Sequence, residues 1–169
     1  DTTIYAILKD KNKLEILRER DIYDQEELQK GSITMAAELR NNGYYNFSKD
    51  NFYYLVDSTL RSHQVDITLG LNNPTDSTLH KQYKIKNVTV FNGIDPIILR
   101  DSARHYKLDT VQYRSMQVIS LKDRFLLPQA IYYNTLIRPG RLYSDRMVER
   151  TYSSLNTLGP VSQTSINLN

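Results

Sequence analysis

The 169-residue chain contains no cysteine and no tryptophan, with 6 glycines and 5 prolines. Without cysteine there are no disulfides, no thiolate nucleophile and no thiolate metal ligand, and the usual link between bridges and oxidising compartments says nothing about location. No apolar run reaches the roughly 18 residues that a helix needs to span a bilayer. Charge of one sign is also scarce: 22 Lys and Arg face 19 Asp and Glu, for a formal net charge of +3. A balance so small and evenly mixed does not by itself imply a nucleic-acid or membrane partner.

Catalytic patterns are missing as well. His63, His80 and His105 form no i,i+4 metal pair and no HExxH motif, and no serine sits in a Gly-x-Ser-x-Gly elbow. Asp57, Asp66, Glu26 and Glu27 are scattered among structural signals instead of converging for acid–base work. We therefore expect a non-enzyme with no catalytic residues, no metal site and no cofactor. RNA binding is a weaker alternative: Lys9, Lys11, Lys13, Arg18 and Arg20 are diluted by Asp10, Glu15, Glu19 and Asp21, and a KH-type glycine loop is lacking. The sequons at Asn46 and Asn87 read as chance matches.

What is abundant is tyrosine, 13 residues against 4 phenylalanines. Rings with a polar tip favour half-buried strands and broad contact surfaces over a deep apolar pocket. The turn-rich segment from Leu71 to Thr78 is the best boundary, dividing the chain into units over 1–73 and 80–169. The start at Asp1 and the strand-like end at Leu168-Asn169 lead us to expect a piece of a longer protein.

In the first unit, Tyr5 to Leu8 suits a helix, and residues 13–18 suit a short helix or strand. Asp24-Gln-Glu-Glu27 has the spacing of a capping box, with Tyr23 and Leu28 as its staple. The helix it opens should bury Leu28, Met35 and Leu39, with Ser32 interrupting the stripe, and stop at Gly43. Phe52 to Val56 reads as a strand. Gln64 to Leu71 alternates strictly, so Val65, Ile67, Leu69 and Leu71 should share one face of an antiparallel neighbour.

In the second unit, Tyr83 to Phe91 reads as a strand whose parity shifts between Ile85 and Val88, requiring a bulge or two buried faces. Thr110 to Ile119 reads as an added hairpin within an insertion over 95–124. Phe125 to Tyr133 suits a helix with Pro128 in its first turn. Arg138-Pro-Gly-Arg141 is a turn, and Ser144 caps a helix running to about Leu158, with Tyr143 and Val148 as its staple and Gly159-Pro160 as its stop. Val161 to Leu168 should begin another strand.

Two stretches carry a family resemblance: Leu39-Arg-Asn-Asn-Gly-Tyr-Tyr-Asn-Phe47, followed by the two strands, and Ile137-Arg-Pro-Gly-Arg-Leu-Tyr-Ser144, followed by its helix. Together with Phe91-Asn-Gly93 they resemble POTRA domains, the polypeptide-transport-associated modules of the outer-membrane assembly factor family (BamA/TamA-like). The insertion resembles a Bacteroidetes variant. The resemblance implies tandem α+β modules of order β-α-α-β-β, each with two helices on a three-stranded mixed sheet, the first lacking its opening strand and the second its final one.

It also implies a non-catalytic role in the periplasm, as part of an outer-membrane protein attached to a β-barrel, assisting protein assembly, insertion or translocation. Its partners would be unfolded outer-membrane β-barrel proteins or accessory assembly proteins, with no nucleic acid. The candidate interaction residues lie at strand edges: Phe52, Tyr54, Val56, Val65, Ile67, Leu69, Tyr83 and Ile85. Gly43, Tyr44, Tyr45, Pro139, Gly140, Tyr143 and Gly159 are read as structural, with one ring of Tyr44 or Tyr45 covering the helix–sheet seam. A rigid spacer and accessory-protein dock is the alternative within the same class.

Overall fold

The computed structural model describes residues 2–10, 16, 21–59, 63–75, 78–94, 107–121, 126–159, 161 and 164–168. They fall into two α+β units, 1–83 and 84–169. Most of 13–18, residues 95–106 with His105, Phe125 and Pro160 lie outside the described residues.

The first unit has the order α1 (Thr2–Asp10), α2 (Gln25–Asn41), a 3-10 turn (Lys49–Asn51), β1 (Phe52–Asp57) and β2 (Asp66–Leu71). In α1, Ile4 and Leu8 sit one turn apart and are both buried. In α2 the stripe is Leu28, Ser32, Met35, Ala36 and Leu39, the spacing that keeps one helix face inward. These residues meet Tyr44, Phe47 and Phe52 in one core, with Ile7, Ile16, Leu69 and Leu71 packed against it. Burying Met35 or Leu39 fully contributes about 1.5–3 kcal/mol each, so this stripe docks the helix.

The start of α2 is capped by Asp24, whose Oδ1 accepts from the Glu26 amide at 2.8 Å. Glu27, the far member of the expected box, is an ion partner of Lys30 at 2.7 Å. Leu28 is buried while Tyr23 is exposed. The C-terminus closes in a Schellman motif: the Gly43 amide donates to the Arg40 carbonyl at 3.3 Å and the Tyr44 amide to the Leu39 carbonyl at 3.1 Å. Gly43 has φ of 97°, a left-handed conformation that a side chain with a Cβ resists. Tyr44 is the ring that turns inward, whereas Tyr45 is exposed and edges onto Tyr83 at 6.3 Å between ring centres.

Strands β1 and β2 pair antiparallel, Phe52 with Leu71 through Asp57 with Asp66. Phe52, Tyr54, Val56, Ile67, Leu69 and Leu71 share one face, the alternation expected, and Val65 lies just ahead of β2. The sheet is two-stranded among the described residues.

Among the described residues the second unit runs β3 (Thr89–Asn92), β4 (Leu108–Tyr113), β5 (Met116–Leu121), α3 (Pro128–Asn134) and α4 (Asp145–Asn156), with residues 95–106 between β3 and β4 outside them. The sheet order is β3-β5-β4, with β3 parallel and β4 antiparallel to β5. The hairpin assigned to an insertion thus supplies the central strand. The physical reason is burial: Met116, Val118 and Ser120 alternate inward, and Met116 and Val118 join Ile131 in the core.

The strand expected over Tyr83 to Phe91 is shortened to Thr89–Asn92. This removes the parity conflict, since Val88 and Val90 pack on the core while Ile85 belongs to a separate contact. Asn92 is buried, and its side chain donates to the Leu126 carbonyl at 2.9 Å and accepts from the Leu126 amide at 3.2 Å.

Pro128 occupies the first turn of α3. Arg138 to Arg141 makes a turn closed by the Arg141 amide on the Arg138 carbonyl at 3.3 Å, with Pro139 and then Gly140 at φ of 81°, a type II arrangement. Ser144 caps α4 by accepting from the Met147 amide at 3.4 Å. That helix ends at Asn156 with Thr157 as its C-cap, before Gly159, whose φ is not left-handed, so Gly159 follows the stop instead of making it. Residues 161 and 164–168 are not strand: the Val161 amide donates to the Leu158 carbonyl at 2.9 Å, just beyond the helix, and no strand pairs with these residues among the described ones.

Candidate strand-edge interface

The ladder of the first unit fixes which backbone groups face outward. The Asn72 amide donates to the Asn51 carbonyl at 2.8 Å, in register with the β1–β2 pairs. Antiparallel pairs alternate, so 53–70, 55–68 and 57–66 exchange hydrogen bonds, whereas 52–71, 54–69 and 56–67 turn their amides and carbonyls to the outer edges. Tyr54, Val56, Ile67 and Leu69, four of the residues singled out in the sequence, are therefore outward-facing in the backbone. Phe52 belongs to the same set, but its amide already donates to the Lys49 carbonyl in closing the 3-10 turn.

Tyr83 and Ile85 are used differently. The Tyr83 amide donates to the Gly43 carbonyl at 2.8 Å, and its hydroxyl accepts from Asn46 at 3.3 Å. Ile85 donates to the Arg141 carbonyl and accepts from the Gly140 amide, both at 2.8 Å. Their backbones are committed within the chain and are not open to an incoming strand. Pro139 and Gly140 form the turn that holds Ile85, and buried Tyr143 donates to Asp145 at 2.6 Å.

One side of the β1–β2 ribbon is tied to α2 by a polar contact that the sequence reading did not find. Ser32 is 6% exposed, and its hydroxyl lies 3.1 Å from the Leu28 carbonyl and 3.0 Å from the Tyr54 hydroxyl. Burial raises the Tyr54 phenol above its ordinary value, and the Ser32 hydrogen bond opposes the shift. On the other side, Tyr53 lies over Gly70, where an added Cβ would come within 2.1 Å of the ring. Leu55, on that same outer side, is 60% exposed.

Asp57 closes β1. Its Oδ1 accepts from the Thr59 amide at 2.9 Å and hydroxyl at 2.7 Å, and these bonds, the amide first, hold its carboxyl below the ordinary range.

A second cluster, in the second unit, was also missed. Arg138 donates to the carbonyls of Tyr132 at 2.7 Å, Ile137 at 2.9 Å and Thr135. Its guanidinium lies 4.1 Å from the centre of the Tyr132 ring. The available signal was a cation just beyond a helix C-terminus, where orphan carbonyls collect.

Among the described residues no group of three or more His, Asp and Glu could hold a metal, and no helix is long and apolar enough to cross a membrane. A shallow groove along α4, lined by Val148, Glu149, Tyr152, Ser153 and Ile166, offers a single carboxylate.

The fold and site define a chain of two small α+β units, the first carrying a two-stranded ribbon with outward-facing backbone. The chain matches no protein-family model, no curated protein and no solved structure.

Proposed function

We propose that the chain is a non-catalytic, periplasmic protein–protein interaction element that assists outer-membrane protein assembly, insertion or translocation by adding a partner strand to its first sheet. The observation that carries this reading is the β1–β2 ribbon: Tyr54 and Val56 on one edge and Ile67 and Leu69 on the other present backbone groups with no further strand beside them among the described residues. Backbone pairing is indifferent to side-chain sequence, which suits clients that are many different unfolded β-barrel chains. The α-α-β-β order of the first unit and its Leu39 to Phe47 segment support the POTRA resemblance. The weight of the reading lies on the first unit, whose ribbon supplies the open edges.

The test uses the full chain and an unfolded β-barrel polypeptide diluted from denaturant. Amide shifts should appear along either Tyr54 and Val56 or Ile67 and Leu69. Val56→Pro and Leu69→Pro each remove one outward amide while sparing the ladder, and one of them should weaken binding at least tenfold, since a strand-adding partner relies on these bonds. Equal binding by both proline variants, with each shown to be folded, overturns the reading.

A further inference from the structure

Arg114 sits at the tip of the β4–β5 hairpin, between the Tyr113–Met116 pair, with φ of 50°. Two-residue hairpins favour Gly, Asn or Asp where φ is positive, so turn geometry does not explain an arginine there. Its guanidinium lies among three tyrosines, 5.1 Å from the Tyr132 ring centre, 5.6 Å from Tyr133 and 6.0 Å from Tyr113. Tyr132 is also covered by Arg138, which places two guanidinium groups around one ring.

No ion pair to either arginine occurs among the described residues. The acid on the adjoining strand, Asp109, lies near its other end, about 17 Å away at the rise of an extended chain. Arg138 has its donors on carbonyls of its own helix end and turn, so it contributes charge. Arg114 is different: Nη2 donates to the Tyr133 hydroxyl at 3.4 Å and a second side-chain hydrogen bond joins the guanidinium to Tyr132, which together engage only part of its five N–H donors. Contacts with aromatic rings engage the guanidinium's face and leave its in-plane N–H groups to meet a planar pair of oxygens.

We propose that Arg114 and the Tyr133 hydroxyl form a binding site for an oxyanion, a carboxylate or a phosphoryl group. Arg114 supplies a charge-assisted, two-pronged contact, Tyr133, 55% exposed, supplies a hydroxyl, and Arg138 raises the local positive potential. The site is independent of the strand-edge reading, because it lies in the other unit and uses side chains.

The full chain is titrated with inorganic phosphate and, separately, with acetate, ionic strength being held constant with sodium chloride. The Arg114 Nε–Hε signal and the Tyr132 and Tyr133 ring signals are followed. At least one oxyanion should give saturating shifts; phosphate alone assigns a phosphoryl ligand and acetate alone a carboxylate. Arg114→Gly suits the positive φ and should keep the fold, shown by an unchanged far-ultraviolet spectrum, while weakening binding about tenfold or more. Tyr133→Phe should weaken it about threefold. Shifts that only track chloride, or that persist in Arg114→Gly, overturn the site and leave Arg114 as an internal staple between hairpin and helix.

Discussion

The hydroxyls of Ser32 and Tyr54 lie 3.0 Å apart, and both reach the carbonyl of Leu28, at 3.1 and 3.0 Å. Three oxygens thus share two protons at the seam between α2 and β1. A polar residue in the apolar stripe of α2 is thereby satisfied, and it fixes where the strand crosses the helix.

Removing both hydroxyls should cost less than the sum of removing each, because either single removal already breaks the contact they share. Ser32→Ala should lower stability by about 1 kcal/mol or less, the better helix propensity of alanine offsetting part of the lost bond. Tyr54→Phe should cost about 1–2 kcal/mol. The double variant should reveal a coupling of roughly 0.5–1.5 kcal/mol in denaturant midpoints, with additivity refuting the contact. In a spectrophotometric titration, Ser32→Ala should move the Tyr54 phenol further up, because the serine hydrogen bond opposes the effect of burial.

Gly43 closes α2 at φ of 97°. Gly43→Val should destabilise the first unit by about 1–3 kcal/mol, and Gly43→Asn by less, since asparagine tolerates the left-handed region. Tyr44→Ala, which empties the buried ring beside Leu39, should cost about 3 kcal/mol or more. Thermal unfolding of the three variants orders them, and an unperturbed Gly43→Val would contradict the closure geometry.

Arg138 holds three carbonyls at the end of α3 and its following turn. Arg138→Ala should cost about 2–3 kcal/mol, because partly buried carbonyls lose charged donors. Lysine should recover only part of this, as it cannot fork between several acceptors. Amide exchange over residues 131–138 is the local readout, and protection there should fall in both variants.

Asp57 gives the pH dependence its sign. Its carboxyl is held below the ordinary range by Thr59, so its contribution is fully present above about pH 4 and is lost as pH falls through the depressed value. The difference in melting temperature between the native chain and Asp57→Asn should therefore shrink on acidification. A difference that stays constant would remove the carboxylate from the turn.

How much of this was legible in the sequence follows the range of each signal. The α2 start at Asp24, its stop at Gly43, the Pro139-Gly140 turn and the Ser144 cap are local, set by side chains bonding their own backbone within a few residues. The alternation of Ile67, Leu69 and Leu71 likewise gave a strand and its inward face. The central position of β5 was not legible, because Met116 and Val118 alternate equally well in an added hairpin and in a core strand. Arg114 and Arg138 were missed because their meaning lies in tyrosines brought to them by the fold.

The sequence by itself determined an α+β chain, the ends of its main helices, and which residues of the β1–β2 ribbon share a face. Only the tertiary structure decided that Tyr54 and Val56 turn backbone groups outward while Tyr83 and Ile85 commit theirs within the chain, and that β5 lies between β3 and β4. The reason is that periodicity specifies the side of a strand on which a residue lies, whereas its neighbours are set by hydrogen bonds and packing between segments far apart in sequence.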